Sequence, residues 1–418
     1  LTLRVAAARD RFLELGRWSV LLCLFSIPIT KAGVNIFIFL ALLFSALGSR
    51  SQQRFLAACK QPVVIGACLW FLALAISALH APGGSDRWGS LGVYKALLYP
   101  LIVATLLETT QWRTRGLFAL AISISLILLV SWAEFFNVVP MLEMAKTGAA
   151  YRYTVLREYT QQGIQFLVLA AIAASFAMTE IRIGRKRLLW LLAAAAFINV
   201  VFLLQSRTCY MIAVPLLLYW VWRAIGDRFS AMRKLALCLA GLALIGSAAF
   251  MTQAVQLRFE QARQDVLTYK TIGKTEATSI GIRLELWKRT LPMISSAPWF
   301  GHGTGQWPTE YQKQTSGLPD FAGFRMGHPH QEALSIMAEH GIVGLAVFVM
   351  LLIALARYIN RLQAPHRDLY ICLLLFYVVA ALANCILLDF SHRHLFLMLL
   401  ACIPFVPGKS DAPGQVLA

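Results

Sequence analysis

The sequence predicts an all-α, polytopic membrane protein, and three observations lead there. Hydrophobic residues make up 59% of the 418 and charged residues 14%, with a mean hydropathy of +0.66, well away from the composition of a water-soluble domain. The apolar stretches run for about 15–25 residues, the length a helix needs to cross hydrocarbon, rather than the ~10-residue alternating strands of a β-barrel. Most Lys and Arg residues fall in the short connections between those stretches. The net charge of +18 therefore marks orientation in a membrane and does not point to nucleic acid.

Apolar windows bounded by charged or Gly/Pro-rich turns predict twelve spans, at 14–30, 32–48, 62–80, 90–108, 116–137, 161–179, 187–204, 208–222, 234–255, 331–356, 367–388 and 392–406. Residues 1–255 thus carry nine helices, 256–330 form a long polar insertion, and 331–418 carry three helices and a tail. The first apolar run lacks a small-residue cleavage signature and is expected to be a retained span. The eight cysteines follow no metal-knuckle or redox spacing and read as small buried side chains.

Alternate connections should be rich in Lys and Arg where they face the cytoplasm. One set holds Arg4, Arg9, Arg11 and Arg17, then Arg50, Arg54 and Lys60, then Arg113 and Arg115. It continues with Arg182, Arg185, Lys186 and Arg187, with Arg223, Arg228, Arg233 and Lys234, and with Arg357, Arg361 and Arg367. With twelve spans all of these share one side, which puts both termini in the cytoplasm and the 256–330 insertion on the outer face.

Eleven basic residues break the rule: Arg87, Arg152, Arg157, Arg207, Arg258, Arg263, Arg283, Lys288, Arg289, Arg325 and Arg393. Any one of them can be a solvated or snorkelling side chain. Arg207 is the sharpest case, because Gln205-Ser206-Arg207-Thr208 joins two apolar runs with hardly any loop to solvate it. An Arg in hydrocarbon costs about 2.5–3.5 kcal/mol on insertion scales, so such residues line cavities or meet a counter-charge. The 138–160 connection adds Arg152, Tyr153, Arg157, Glu158 and Tyr159 as a second candidate lining.

Within the insertion, Val255, Phe259, Ala262, Val266 and Tyr269 recur at helical spacing, so the ninth span is expected to run on to about Lys270 and to break near Gly273. A second helix fits 281–291 and sets Arg283 and Trp287 on one face. Pro298, Gly301, Gly303 and Gly305 specify an irregular loop. That loop follows no strand and lacks the Gly-Lys-Ser/Thr of a phosphate-binding loop.

The insertion closes on His328-Pro329-His330. Two histidines can ligate a metal, but the outer acids Asp86, Glu143, Glu158, Asp265, Asp320 and Asp389 are dispersed, with no Asp-x-Asp or His-Glu-x-x-His pattern, so no metal is expected. No Gly-x-Ser-x-Gly elbow supports a serine hydrolase. Guanidinium groups bind phosphate oxygens bidentately and stay charged, and several together can stabilise a pyrophosphate leaving group in place of a divalent ion. His330, ahead of the helix opening at Gln331, feels that helix's positive end, which favours neutral imidazole, the form of a general base. A hydrogen-bonded structural histidine fits the same position.

Ser206-Arg207 opens a span; Arg283-x-x-x-Trp287 precedes Pro298-x-x-Gly301-x-Gly303; His330-Gln331-x-x-Leu334 precedes Gly341-x-x-Gly344-Leu345. In this order and placement the motifs resemble the O-antigen ligase and polymerase superfamily, as do the span count and the large loop before the tenth span. Gln331 departs from the Asn that many members carry after the His. The resemblance implies a GT-C-like membrane glycosyltransferase without metal or other cofactor. Its donor would be an undecaprenyl pyrophosphate glycan and its acceptor a sugar hydroxyl on lipid A core, reached through a cavity open to membrane lipid, with inversion at the anomeric carbon. His330 would be the base, with Arg207 and Arg283 on the pyrophosphate. Arg152, Arg157 and Arg289 join them by location and charge. An O-antigen polymerase or a protein O-oligosaccharyltransferase would use the same donor. An anionic-lipid transporter is the alternative of another class, although no internal repeat supports it.

Overall fold

Side chains that are apolar on every face leave a helix no stable place except the centre of a bundle or the lipid around it. A computed structural model of the chain, describing residues 2–82, 86–140, 153–226, 229–251, 253–272, 279–316 and 326–405, shows both outcomes. Its regular structure is helical throughout the described residues. The first half comprises α1 (Thr2–Ser26), α2 (Lys31–Leu47), α3 (Ser51–Cys59), α4 (Pro62–His80), α5 (Arg87–Val93), α6 (Tyr99–Leu106) and α7 (Thr110–Phe135). After it come α8 (Tyr159–Thr179), α9 (Ile183–Ile198), α10 (Arg207–Ile225), α11 (Ala231–Phe250), α12 (Gln253–Ile272) and α13 (Ser279–Ser296). The last are α14 (Trp307–Thr315), α15 (Glu332–Ile359), α16 (His366–Ala381) and α17 (Phe390–Ala401).

Each of the twelve apolar windows contains a helix. Among the described residues seven helical segments are long and apolar enough to cross a membrane, or eight if α2 and α3, bent by 116°, count as one. Phe39, Leu72, Ile122 and Leu129 stand exposed on the bundle's flanks, an apolar exterior suited to lipid rather than water. By contrast α8 is buried on all sides from Gln162 to Ser175 and packs against α7, α9, α10 and α16. It is the central post of the bundle, so whatever its first turn carries lies at the middle of one end.

At the opposite end two basic residues of the alternate set are tied down. The buried Arg113 guanidinium donates to Leu107 O at 2.8 Å, to Gln61 Oε1 at 2.8 Å and to Ile403 O. Arg223 makes a two-pronged pair with Asp368 at 2.9 Å for each contact, and Tyr219 donates to the same carboxylate at 2.7 Å.

Two details of the insertion differ from expectation. The ninth span does not run on unbroken: α11 ends at Phe250 and α12 starts at Gln253, with the rings of Phe250 and Phe259 5.8 Å apart across the junction. A shared 3.6-residue apolar pattern on the two helices hides the break from the sequence. The second helix runs past 291 through Pro292 to Ser296. Gly273 and the turn expected there lie outside the described residues.

A third feature is a break inside α15. Gly341 has φ of 64°, and the peptide groups it frees are taken up by the preceding loop. His302 N donates to Ala338 O at 3.0 Å and Gly303 N to Glu339 O at 2.8 Å, while Ile342 N and Val343 N donate to Pro298 O and Trp299 O. A Cβ at Gly341 would run into the Trp299 backbone, and one at Gly301 into the backbone of Glu339 and His340. Two glycines thus let the insertion lie directly on a membrane helix.

Candidate active site

The His-Pro-His segment is held by α13. Trp287 Nε1 donates to Pro329 O at 3.0 Å, and Arg283, one turn earlier on the same face, is near enough for its charge to act on His330. His330 has φ of 55°, the left-handed region that non-glycine residues seldom adopt. Its peptide N–H donates to His328 Nδ1 at 3.2 Å, the two rings lie edge to face at 4.3 Å, and its own Nδ1 is 3.4 Å from Asn384 Oδ1. Gln331 then caps α15, its side-chain oxygen accepting from Leu334 N. Either amide of the Asn/Gln pair can supply that oxygen, which gives a physical reason for the departure seen in the sequence.

Both rings are held neutral at pH 7. Burial depresses His330 below the ordinary histidine value, the Arg283 cation adds to the effect, and the contact with Asn384 opposes it. For His328, burial and then the neighbouring His330 bring the value down to about 4. The direction agrees with the helix-dipole expectation, but desolvation and a guanidinium are the causes on view.

Arg207 is placed by an irregular turn. The chain leaves α9 through a π-helical segment, Asn199–Leu204, reverses at Gln205 with φ of 53°, and starts α10 at Arg207. Such i→i+5 turns concentrate at functional sites. The Arg207 guanidinium meets Asp265 of α12 at 2.9 Å, so the expected counter-charge exists and comes from the insertion. Arg283 lies near Arg207 and Tyr159, and makes no hydrogen bond or ion pair with any described residue. Burial and the like charge of Arg207 depress its value, against a favourable effect of Tyr159.

The other arginines go elsewhere. Arg157 donates to Ile27 O and Pro28 O at 3.3 Å each, linking the segment before α8 to the α1–α2 turn; burial lowers its value and Asp389 opposes that. Arg289 is paired with Glu285 at 2.7 Å and neighbours Tyr311 of α14. Six residues beyond Arg283, it lies ~9 Å along the helix and well round its circumference. Arg152 and Arg325 lie outside the described residues. His330, Arg283 and Arg207 therefore form one group, Arg157 borders it, and Arg289 serves a different contact.

Four helices begin at this end. Thr160 of α8 and Ser206 before α10 share a hydroxyl contact of 3.1 Å; Gln161 donates to Asp389, the cap of α17, at 2.9 Å; and His330 precedes α15. Converging helix N-termini add positive potential to that of the arginines. Asp265, Asp389 and Asn384 are members of the surroundings that the sequence did not mark as such, whereas Tyr159 belongs to the candidate lining it did mark. Asp389-x-x-His392 is a legible helix cap, whereas nothing around Asn384 distinguishes it. Among the described residues no three His, Cys, Asp or Glu side chains gather in a metal-binding group.

Comparison with known proteins adds two findings. Residues 192–349 match the family described as O-antigen ligase. Arg207, Arg283, Arg289 and His330 fall inside the match, and Arg157, Asn384 and Asp389 outside it. A protein of Haemophilus influenzae described only as uncharacterized is 27% identical over 141 residues, 32% of this chain. The chain spans 35% of that protein's length in the match.

Proposed function

We propose that the chain, whose residues 192–349 match the family described as O-antigen ligase, is an O-antigen ligase of the O-antigen ligase and polymerase superfamily. It transfers a glycan from undecaprenyl pyrophosphate to a sugar hydroxyl of lipid A core. The observation that carries this reading is the neutral His330 beside Arg283, a guanidinium with no hydrogen bond or ion pair to any described residue. A base and an uncommitted cation side by side suit an acid–base displacement with an anionic leaving group.

In this reading Arg283 and Arg207 hold the donor pyrophosphate, helped by the helix N-termini around them. His330 takes the proton of the acceptor hydroxyl as its oxygen attacks the anomeric carbon. The bond from that carbon to the pyrophosphate oxygen breaks, and undecaprenyl pyrophosphate leaves from the opposite face with inversion. Arg157 borders the site at the α1–α2 turn, and Arg152 supplies further positive potential. Neither metal nor organic cofactor is required. The protein sits in the bacterial inner membrane with both termini in the cytoplasm and the site facing the periplasm, where both lipid-anchored substrates reach it sideways.

The test is transfer by purified protein from undecaprenyl pyrophosphate glycan to lipid A core, to a second donor molecule, or to a pilin-like protein. Transfer to lipid A core is expected. Product from the second donor instead would make the enzyme a polymerase. His330→Ala should lower transfer by at least about 10²-fold without loss of inserted protein; an active variant would remove His330 as the base.

A further inference from the structure

Asn384 stands in the turn between α16 and α17, outside the family match, and its Oδ1 lies 3.4 Å from His330 Nδ1. The orientation of a side-chain amide and the tautomer of a histidine are normally assigned rather than seen. Here the main chain bears on both. The N–H of Cys385 donates to the same Oδ1 at 3.0 Å, and a peptide N–H can only donate, so the atom facing the ring is the acceptor oxygen. An oxygen faces the ring nitrogen stably only if that nitrogen carries hydrogen. The contact thus fits Nδ1 as the N–H of neutral His330, with the lone pair on Nε2, which has no hydrogen-bond partner among the described residues.

We propose that Asn384 is a positioning residue that holds His330 in its Nδ1–H tautomer, making Nε2 the atom that receives the acceptor's proton. This rests on the reading of His330 as the base. Asn384 does not touch the reacting atoms; it acts by fixing where the lone pair is. An imidazole without such an acceptor populates both tautomers, and one of them presents N–H where a lone pair is needed. In a serine-protease triad, supplying the wrong partner to the outer ring nitrogen costs about 10⁴ in rate.

Several charged or titratable groups surround the ring. His328 lies on its own loop, Arg283 on α13 with Arg207 of α10 behind it, and Tyr159 of α8 beside Arg283. Asp389 is next to His328, and Glu332, buried at the start of α15, accepts from Ile386 N and Leu387 N. None of these is placed to accept from His330 Nδ1 as Asn384 does.

The experiment uses the full chain in nanodiscs, labelled with ¹⁵N-histidine, and takes His330→Gln as the spectrum that identifies the His330 signals. At pH 7.5 without substrate, wild-type His330 should show a protonated Nδ1 and an unprotonated Nε2. N384L should show mixed tautomers and lose about 10–100-fold in kcat, with KM for undecaprenyl pyrophosphate glycan changed less than about two-fold. N384D, which still accepts the same hydrogen, should keep the tautomer and most of kcat. Its carboxylate favours imidazolium, so the acid limb of its pH–rate profile should move up by about one unit. A wild-type His330 protonated on Nε2, or an N384L protein with unchanged tautomer and rate, would overturn the proposal. If N384L does not insert, the wild-type spectrum and the N384D limb decide. Activity retained by His330→Ala would instead remove the base assignment, leaving the tautomer as a separate result.

Discussion

Arg283 has two separable effects on the candidate base, because it can hold a phosphate and it also disfavours a second positive charge next to it. As the proposed base His330 acts in its neutral form, and its value is depressed, so activity should be level around neutrality and fall only as pH drops through a point below the ordinary 6.5. Removing the cation in Arg283→Gln lifts the part of that depression that burial does not cause. The acid limb of kcat/KM should therefore move to higher pH while donor binding weakens about ten-fold or more. A limb that stays in place would show the two side chains to be electrically independent. For Arg207 the expectation concerns binding alone: Arg207→Ala should lower affinity for the lipid-linked donor, measured by thermophoresis in nanodiscs, and unchanged affinity would take it out of the site. Much of this group was legible in the sequence, since an arginine squeezed between two apolar runs and a histidine at a helix start are both anomalies that call for a cause. Asp265 and Asn384 were not, because a lone acid or amide gains meaning only from what the tertiary structure sets beside it.

The broken α15 shows what helical elements alone conceal. Periodicity in residues 332–359 is continuous, and Gly341, although part of the Gly341-x-x-Gly344-Leu345 motif, carries no sign there of a break. Only the neighbouring loop explains it, since the left-handed backbone and the contact with Trp299 both exclude a side chain. Gly341→Ala should destabilise the protein, the left-handed backbone alone costing about 1–2 kcal/mol. A fluorescence-detected melting curve should show a midpoint several degrees lower; an unchanged midpoint would mean that the break is not required. The α11–α12 junction escaped for the opposite reason, two helices with one apolar rhythm reading as one. Helix existence, by contrast, was recoverable in all twelve windows, because an apolar run of membrane length has few other ways to satisfy its backbone.

Across the bundle the arginines are not all held alike. At one end Arg113 and Arg223 are fastened to carbonyls and a carboxylate, and at the other Arg157 and Arg207 are fastened likewise, whereas Arg283 makes no hydrogen bond or ion pair with any described residue. If arginines and helix N-termini together neutralise the leaving pyrophosphate, transfer should survive EDTA with little change in rate. Loss of activity restored by Mg²⁺ or Mn²⁺ would refute that. The sequence showed the asymmetry as a violation of charge bias without showing which violators meet. The interlock between the 298–303 loop and α15 bears on how this end moves. Its four cross-connecting amides belong half to that loop and half to α15, yet none can open unless the two separate. Under hydrogen exchange the peptide groups of His302, Gly303, Ile342 and Val343 should therefore trade deuterium at one common rate, as a single opening unit. Independent rates would show the loop to be a lid, free to lift while the helix stays closed.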